Sequence, residues 1–425
     1  MSILKLNSKL NNPYFLNTSN KNEIWLYCEI KAAAVKLNKE RAPLNISLVI
    51  DRSGSMSGEK LENVKRAVEF VIQNLNPADY LSIVQYDNNV QVLSQSAPVR
   101  DKSSLLKLVG SIRSGGSTNL SGGMLEGYNQ VKLTRKEGYV NRVLLLTDGM
   151  ANAGVTDSQQ LYNIVNRQFQ ENGIGLSTFG VGADFNEELL LQLAERGGAN
   201  YYFIETPDQI PQLFAKELQG LLSVVAQNTM LNISFPSEFI SVEKVYGYLY
   251  QQNGNRLTIN FNDVYSEEEK AIVVKFKVNN SITLQSVFDV SLIFNDVVET
   301  LDKLTIQQSL SLKPCNDSQL YENSIDKETV ENAVFFTCSD LFKEIMSLSD
   351  YRRFDEARVK LETALNYLRG YVEMFPSSER LHKLYSQMNG YLYNIPSMEI
   401  MMEQELKMSQ KLSKSHNWLM EKRKD

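Results

Sequence analysis

Between Asn45 and Leu222, short apolar runs alternate with longer amphipathic stretches, and this alternation restricts the fold more than any other feature of the chain. Asn45 to Ile50 carries apolar residues on both faces, as a strand covered on both sides should. Glu59 to Leu75 places Leu61, Val64, Val68, Val71, Ile72 and Leu75 on one helical stripe. Tyr80 to Tyr86, Arg142 to Leu146, Gly175 to Val181 and Asn200 to Ile204 read as further strands, with Val90 to Leu93 as a hairpin partner of the first. Ser103 to Ile112, Ser121 to Lys132, Ser158 to Gln170, Asn186 to Glu195 and Thr206 to Leu222 read as helices. Strands alternating with helices predict an α/β domain with a doubly wound, mostly parallel sheet. Ligands of such sheets bind at the carboxyl ends of the strands.

A chain of 425 residues is too long for one ordinary core. From Val224 the pattern becomes β-like: Leu231 to Phe235, Ser241 to Leu249, Arg256 to Phe261, Ala271 to Val278, Gln285 to Phe294 and Thr305 to Leu312. Turn signals such as Asn253-Gly254-Asn255 separate these runs, which predict a small β-sandwich with no helix of its own. The first strand is expected at Ile24 to Val35; it has no helix-covered neighbour and is expected to join the sandwich. After Pro314 the chain reads as helical to its end, over Thr329 to Leu348, Asp355 to Met374, Leu381 to Tyr393 and Met398 to Met420. The expected organisation is therefore an N-terminal segment (1–44), an α/β domain (45–223), a β-sandwich (224–313) and a helical region (314–425). The stripe of Met398, Met401, Met402, Met408 and Met420 reads as bundle packing, with an adaptable docking face as the alternative. Lys422-Arg423-Lys424 reads as a solvated helix end, with a weak anionic contact as the alternative.

Composition removes several function classes. A net charge of −6 argues against a nucleic-acid binder. Cys28, Cys315 and Cys338 are odd in number and far apart, which suits reduced thiols in a reducing compartment. Met1 to Asn22 is polar, with no basic stretch leading into an apolar one, and no run approaches the roughly 20 apolar residues of a membrane span. The expected location is the cytoplasm. The two histidines, His382 and His416, lie near the C-terminus, which argues against histidine-based catalysis in the first domain.

The chemistry concentrates in three loops. The strand ending at Ile50 runs into Asp51-Arg52-Ser53-Gly54-Ser55, offering Asp51, Ser53 and Ser55 to one point. Gly115-Gly116-Ser117-Thr118 is a second, glycine-rich loop, and Thr147-Asp148-Gly149 follows a buried strand. A parallel sheet can bring these distant loops together. Oxygen donors carrying little charge suit a hard divalent cation, Mg²⁺ first, with Mn²⁺ or Ca²⁺ as alternatives.

The three loops, in this order on an α/β scaffold, resemble the metal-ion-dependent adhesion site of the von Willebrand factor type A domain, over roughly Asn45 to Leu222. All five family positions are filled: Asp51, Ser53, Ser55, Thr118 and Asp148. The resemblance implies direct metal contact by the three hydroxyls, with the two acids acting through water and hydrogen bonds. It also implies one coordination position completed by an Asp or Glu of a partner protein, reached over the loops around Ser53, Gly116 and Asp148. The order of domains, with Leu44-Asn45-Ile46 and Phe179-Gly180-Val181-Gly182, is similar to bacterial relatives of the inter-α-trypsin inhibitor heavy chains and of calcium-activated chloride-channel-like proteins. Cytoplasmic members often work beside AAA+ ATPases, so a system containing one is an expected setting.

Catalytic readings fare worse. A phosphatase with an aspartate nucleophile at Asp51 needs an acid two residues on, where Ser53 stands. No glycine loop carries the Lys-Ser/Thr of a phosphate loop, and Gly180-Val181-Gly182 is too short for a dinucleotide fingerprint. The expectation is a non-enzymatic, cation-dependent protein-binding module. The alternatives are a scaffold acting through the helical C-terminus and a metal-dependent hydrolase.

Overall fold

The computed structural model describes residues 2–17, 23–35, 41–279, 282, 284–298, 300 and 302–423. Two strands, β1 (Leu4–Leu10) and β2 (Tyr14–Leu16), precede the first strand expected from sequence. Leu4, Leu6 and Leu10 alternate with polar residues and are buried at period two. The polar residues between them masked that pattern. The expected strand follows as β3 (Glu23–Ala32).

The α/β unit is built from β4 (Leu44–Asp51), α1 (Glu59–Asn74), β5 (Tyr80–Tyr86), β6 (Val90–Pro98), α2 (Lys102–Gly110), α3 (Leu120–Leu133), β7 (Val140–Thr147), α4 (Ser158–Asn172), β8 (Gly175–Val181), α5 (Glu187–Arg196), β9 (Tyr201–Ile204) and α6 (Ile210–Leu222). Its sheet runs in the order β6-β5-β4-β7-β8-β9, parallel except for the edge strand β6. Every residue of β4, β7 and β8 is buried, because helices cover both faces. Val64, Val68 and Val71 of α1 and Phe214 and Leu218 of α6 fill one side. Met124, Tyr128 and Val131 of α3, Leu161 and Val165 of α4, and Leu189 and Leu193 of α5 fill the other. The chain steps from β4 to β5 and β6 on one side and then crosses back to β7 on the other, so the topological switch point lies between β4 and β7.

The next strands are β10 (Val224–Ser234), β11 (Ile240–Tyr246), β12 (Gln251–Asn253), β13 (Arg256–Tyr265), β14 (Glu269–Val278), β15 (Ser286–Asp296) and β16 (Lys303–Cys315). With the N-terminal strands they form two sheets, β1-β3-β14-β11 and β12-β13-β10-β15-β16-β2. Leu26, Ile272 and Phe276 of the first meet Leu231, Phe288 and Leu292 of the second in one core. The helical region comprises α7 (Ser318–Asn323), α8 (Lys327–Asp350), α9 (Phe354–Met374), α10 (Glu379–Ile400) and α11 (Glu403–Glu421). It shares a core with Tyr27, Tyr246, Ala271 and Val273, so it covers the outer face of the four-stranded sheet.

Two details of the helical region differ from the sequence reading. Pro396 lies inside α10, and the break comes at Met401–Met402, so the expected helix from Met398 to Met420 is two segments. Met398 and Met420 are buried while Met402 is 72% exposed, so the methionines form no single stripe. The basic end is also not solvated. Arg423 donates to Glu29 at 2.7 Å, to Glu269 at 2.8 Å and to the Tyr27 hydroxyl at 2.7 Å. Lys422 donates to the Gly247 carbonyl and is 7% exposed. Lys424 lies outside the described residues. These contacts fasten the end of the chain to the sandwich.

A buried pair joins the α/β unit to the sandwich. Arg142 of β7 donates to Asp263 of β13 at 2.6 Å, with the two side chains 0% and 3% exposed. Among the described residues, Arg142 Nε and Nη1 have no hydrogen-bond partner. Asp263→Ala should therefore cost about 3–5 kcal/mol by stranding the guanidinium. The joint change Arg142→Met with Asp263→Leu should lose far less. Urea denaturation of both variants measures this, and equal losses would refute it.

Candidate metal centre

The three loops meet above the switch point. Asp51 ends β4, and its neighbour across the ladder, β7, ends in Thr147 and is followed by Asp148. The parallel register places both acids at the same end of adjacent strands. Asp51 Oδ1 accepts the Ser53 amide at 2.8 Å and Oδ2 accepts the Thr147 hydroxyl at 2.6 Å. These bonds fix the carboxylate and curl the chain into the turn that carries the serines. Ser53 Oγ and Ser55 Oγ stand 3.2 Å apart, and Ser55 Oγ donates to Asp148 Oδ1 at 2.7 Å. Asp51 (through the Ser53 amide), Ser53, Ser55 and Asp148 are thus linked by one run of hydrogen bonds.

Thr118 arrives on the loop before α3. Its carbonyl accepts the Asn152 amide at 3.2 Å, and a Cβ on Gly149 would lie 3.1 Å from Thr118 Oγ1. The threonine hydroxyl therefore borders the residue next to Asp148. The structure brings all five predicted residues together. Asp51, Ser53, Thr118 and Asp148 are buried, whereas Ser55 is exposed, so the cluster opens outward on the Ser55 side.

The glycine-rich loop is positioned by residues that the sequence marked only as a turn. Asp87 accepts from Arg52 at 2.7 Å and from the Gly116 amide at 3.3 Å, and Asn88 Oδ1 accepts the Ser117 amide. A Cβ at Gly115 would fall 2.1 Å from Asp87 Oδ2, and one at Gly116 would fall 2.0 Å from Asn88 Oδ1. Glycine at both positions lets the Asp87 and Asn88 side-chain oxygens stay on the loop amides; a side chain there would have to push them aside. Gly54 and Arg52 complete the junction, the first donating to the Gly116 carbonyl at 2.9 Å and the second accepting the Gly115 amide at 2.6 Å. Thr147 and Lys60 also escaped the sequence reading. Thr147 orients Asp51, and Lys60 Nζ donates to Asp148 Oδ2.

The donor set fits a hard cation. It is all oxygen, it converges, and three of the five groups are neutral hydroxyls. Among the described residues no group of three or more His, Cys, Asp or Glu is placed to hold a metal, so nothing here has the make-up of a zinc centre.

Comparison with known proteins agrees with this fold. Residues 45–216 match the model of the von Willebrand factor type A domain. The chain is 30% identical to the uncharacterised protein YfbK of Escherichia coli, over 51% of this chain and 38% of that protein. It is 24% identical to the uncharacterised protein sll0103 of Synechocystis, over 78% of this chain and 77% of that one. It is 28% identical to inter-α-trypsin inhibitor heavy chain 4 of Mus musculus, over 49% of this chain and 22% of that one. The chain thus spans well under half the length of YfbK and of the heavy chain. Among solved structures, a von Willebrand factor type A protein from Catenulispora acidiphila superposes with a TM-score of 0.71 at 14% identity, covering 85% of each chain. The ArnB paralog VWA2 of Sulfolobus acidocaldarius gives 0.65 at 16% identity, covering 98% of each. These two likenesses establish the shared fold.

Burial pushes the Asp51 carboxyl up from 3.8 to about 6; nearby Asp148 adds to the rise, and the bonds from Thr147 and Ser53 oppose it. A carboxyl raised on folding holds its proton between these values in the folded state and has lost it in the unfolded one. Metal-free stability should therefore fall as pH rises from about 4 to about 6, by about 3 kcal/mol at most. Melting in EDTA across this window should show the decline for the native chain, and Asp51→Asn should lack that component. Parallel pH profiles for the two would refute the assignment.

Proposed function

We propose that the von Willebrand factor type A domain of this chain is a non-enzymatic, cation-dependent protein-binding module that captures an acidic side chain of a partner. The observation that carries the reading is the convergence of Ser53, Ser55 and Thr118 with Asp51 and Asp148 at the switch point, open on the Ser55 side. The three hydroxyls would hold the cation, with the two acids bound to it directly or through water. A bound Mg²⁺ there supplies a positive centre that neutral hydroxyls leave largely uncompensated, and an incoming carboxylate makes a charge-assisted bond to it.

The chain's own residues prepare that event. Thr147 and the Ser53 amide keep Asp51 turned inward. Asp87 and Asn88 keep the glycine loop low, so that Thr118 faces the third loop. No residue is assigned a catalytic step, since position 53 carries a hydroxyl where a general acid would be required. Cys28, Cys315 and Cys338 are free and buried, which supports a reducing compartment such as the cytoplasm. Among the described residues no helix is long and apolar enough to cross a membrane.

A second reading, docking through the helical region, draws on a separate observation. Tyr351, Tyr393, Ile400 and Met402 are 77%, 85%, 87% and 72% exposed, an apolar surface that the intramolecular core does not use. The two readings separate in one experiment. Capture of partners from the native cell in Mg²⁺ should fall at least about tenfold with EDTA and with Thr118→Ala or Asp148→Ala, while circular dichroism shows the fold kept. Tyr351→Ser with Ile400→Ser should leave it unchanged. Capture that persists in EDTA and fails with the surface changes would replace the first reading by the second.

A further inference from the structure

Asp148 already holds a cation of the protein's own. Lys60 Nζ donates to Asp148 Oδ2 while the Ser55 hydroxyl donates to Oδ1. The Asp148 side chain is fully buried and that of Lys60 is 29% exposed, so the ammonium reaches inward from the open side of the cluster. The placement follows from the backbone. Gly58 caps α1 with a φ of +74°, a conformation that L side chains rarely adopt, and it starts the helix so that Lys60 lies in its first turn. The other cation on this loop, Arg52, is taken by Asp87 at 2.7 Å.

We propose that Lys60 is an internal competitor of the divalent cation at Asp148, setting an affinity for metal alone that is low until a carboxylate ligand arrives. The inference rests on the metal reading of this site. Asp51 and Asp148 bring at most two negative charges, and the ammonium cancels one. An entering metal meets a single residual charge and repulsion from Lys60, at distances and burial where such interactions are strong. A ligand carboxylate restores the missing negative charge. Metal and ligand then strengthen each other's binding by the same factor. The site is thereby made to hold its cation best in the complex.

The alternative is a purely structural ion pair in which Lys60 holds Asp148 in its rotamer. The two make opposite predictions for metal affinity. Titration calorimetry with MnCl₂ and MgCl₂ on the full chain compares the native protein with Lys60→Met, Lys60→Arg and Asp148→Ala. Lys60→Met should bind metal at least about tenfold more tightly, the scale on which one nearby charge shifts a neighbouring ionic equilibrium. Lys60→Arg should stay near the native affinity, and Asp148→Ala should bind weakly. Should the Met variant fail to fold by circular dichroism, Lys60→Gln takes its place with the same expectation. Affinity unchanged or lowered in the neutral variants, with metal still bound by the native chain, would overturn the competitor role alone. No metal binding by any form, the native chain included, would overturn the metal reading as well.

Discussion

Two carboxylates stand at the same end of neighbouring parallel strands, and the loops around them are arranged to hold that repulsion in check. Asp51 and Asp148 are brought together by the register of β4 against β7, which core packing fixes far from the site. Like charges at such a position are costly in a dry environment. Each acid is accordingly met by donors: the Ser53 amide and Thr147 hydroxyl on one, the Ser55 hydroxyl and Lys60 on the other. The turn after β4, the start of α1 and the end of β7 all bend toward satisfying these four oxygens. A small cation would do the same work from the centre of the cluster, which is why oxygen donors of low charge and an ammonium can coexist there.

The same principle, buried charge met by a specific partner, fastens the rest of the molecule. Arg142 and Asp263 link the central sheet to the sandwich, and Arg423 bridges Glu29 and Glu269 on the four-stranded sheet. Lys411 of α11 donates to the Phe185 carbonyl at 2.7 Å and lies over the Phe185 ring, and burial pushes its ammonium down to about 8. Trp418 of the same helix meets Tyr201 of β9 edge-on in the core shared with α4 and α5, and donates to Glu195 at 3.2 Å. The terminal helix is therefore part of the α/β unit's packing. Buried pairs of this kind contribute little net stability, but breaking one is expensive, so they favour a single arrangement of the parts.

The sequence made visible whatever rests on local pattern. Periods of 3.6 and 2 identified the α/β unit, and the five candidate residues were singled out on three loops by residue type together with a family resemblance. What stayed hidden depends on partners far along the chain. Arg423 looks like a frayed basic tail until Glu29, almost four hundred residues earlier, is beside it. Asp87 and Asn88 look like a simple turn until the glycine loop is laid over them. Lys60 looks like one more solvent-facing lysine of an amphipathic helix, because its partner is on another strand. Strand β1 failed for a different reason: three leucines at period two are too weak a signal without the β3 partner they pair with.

The placement of the helical region bears on how a partner could approach. A groove beside the third loop is walled by Met150, Asp184 and Glu187 on one side and by Tyr351, Arg352, Glu403 and Lys407 on the other. Met150 is two residues past Asp148, and Tyr351 stands at the turn between α8 and α9. One rim therefore adjoins the third loop, and the other mixes Tyr351 and Leu406 with the acids Asp350 and Glu403 and the bases Arg352, Lys407 and Lys411 of the helices. Lys407 is paired with Glu403 at 2.7 Å, so charges of both signs line this groove. The helical region therefore shapes the approach to the three loops without entering the cluster of five residues.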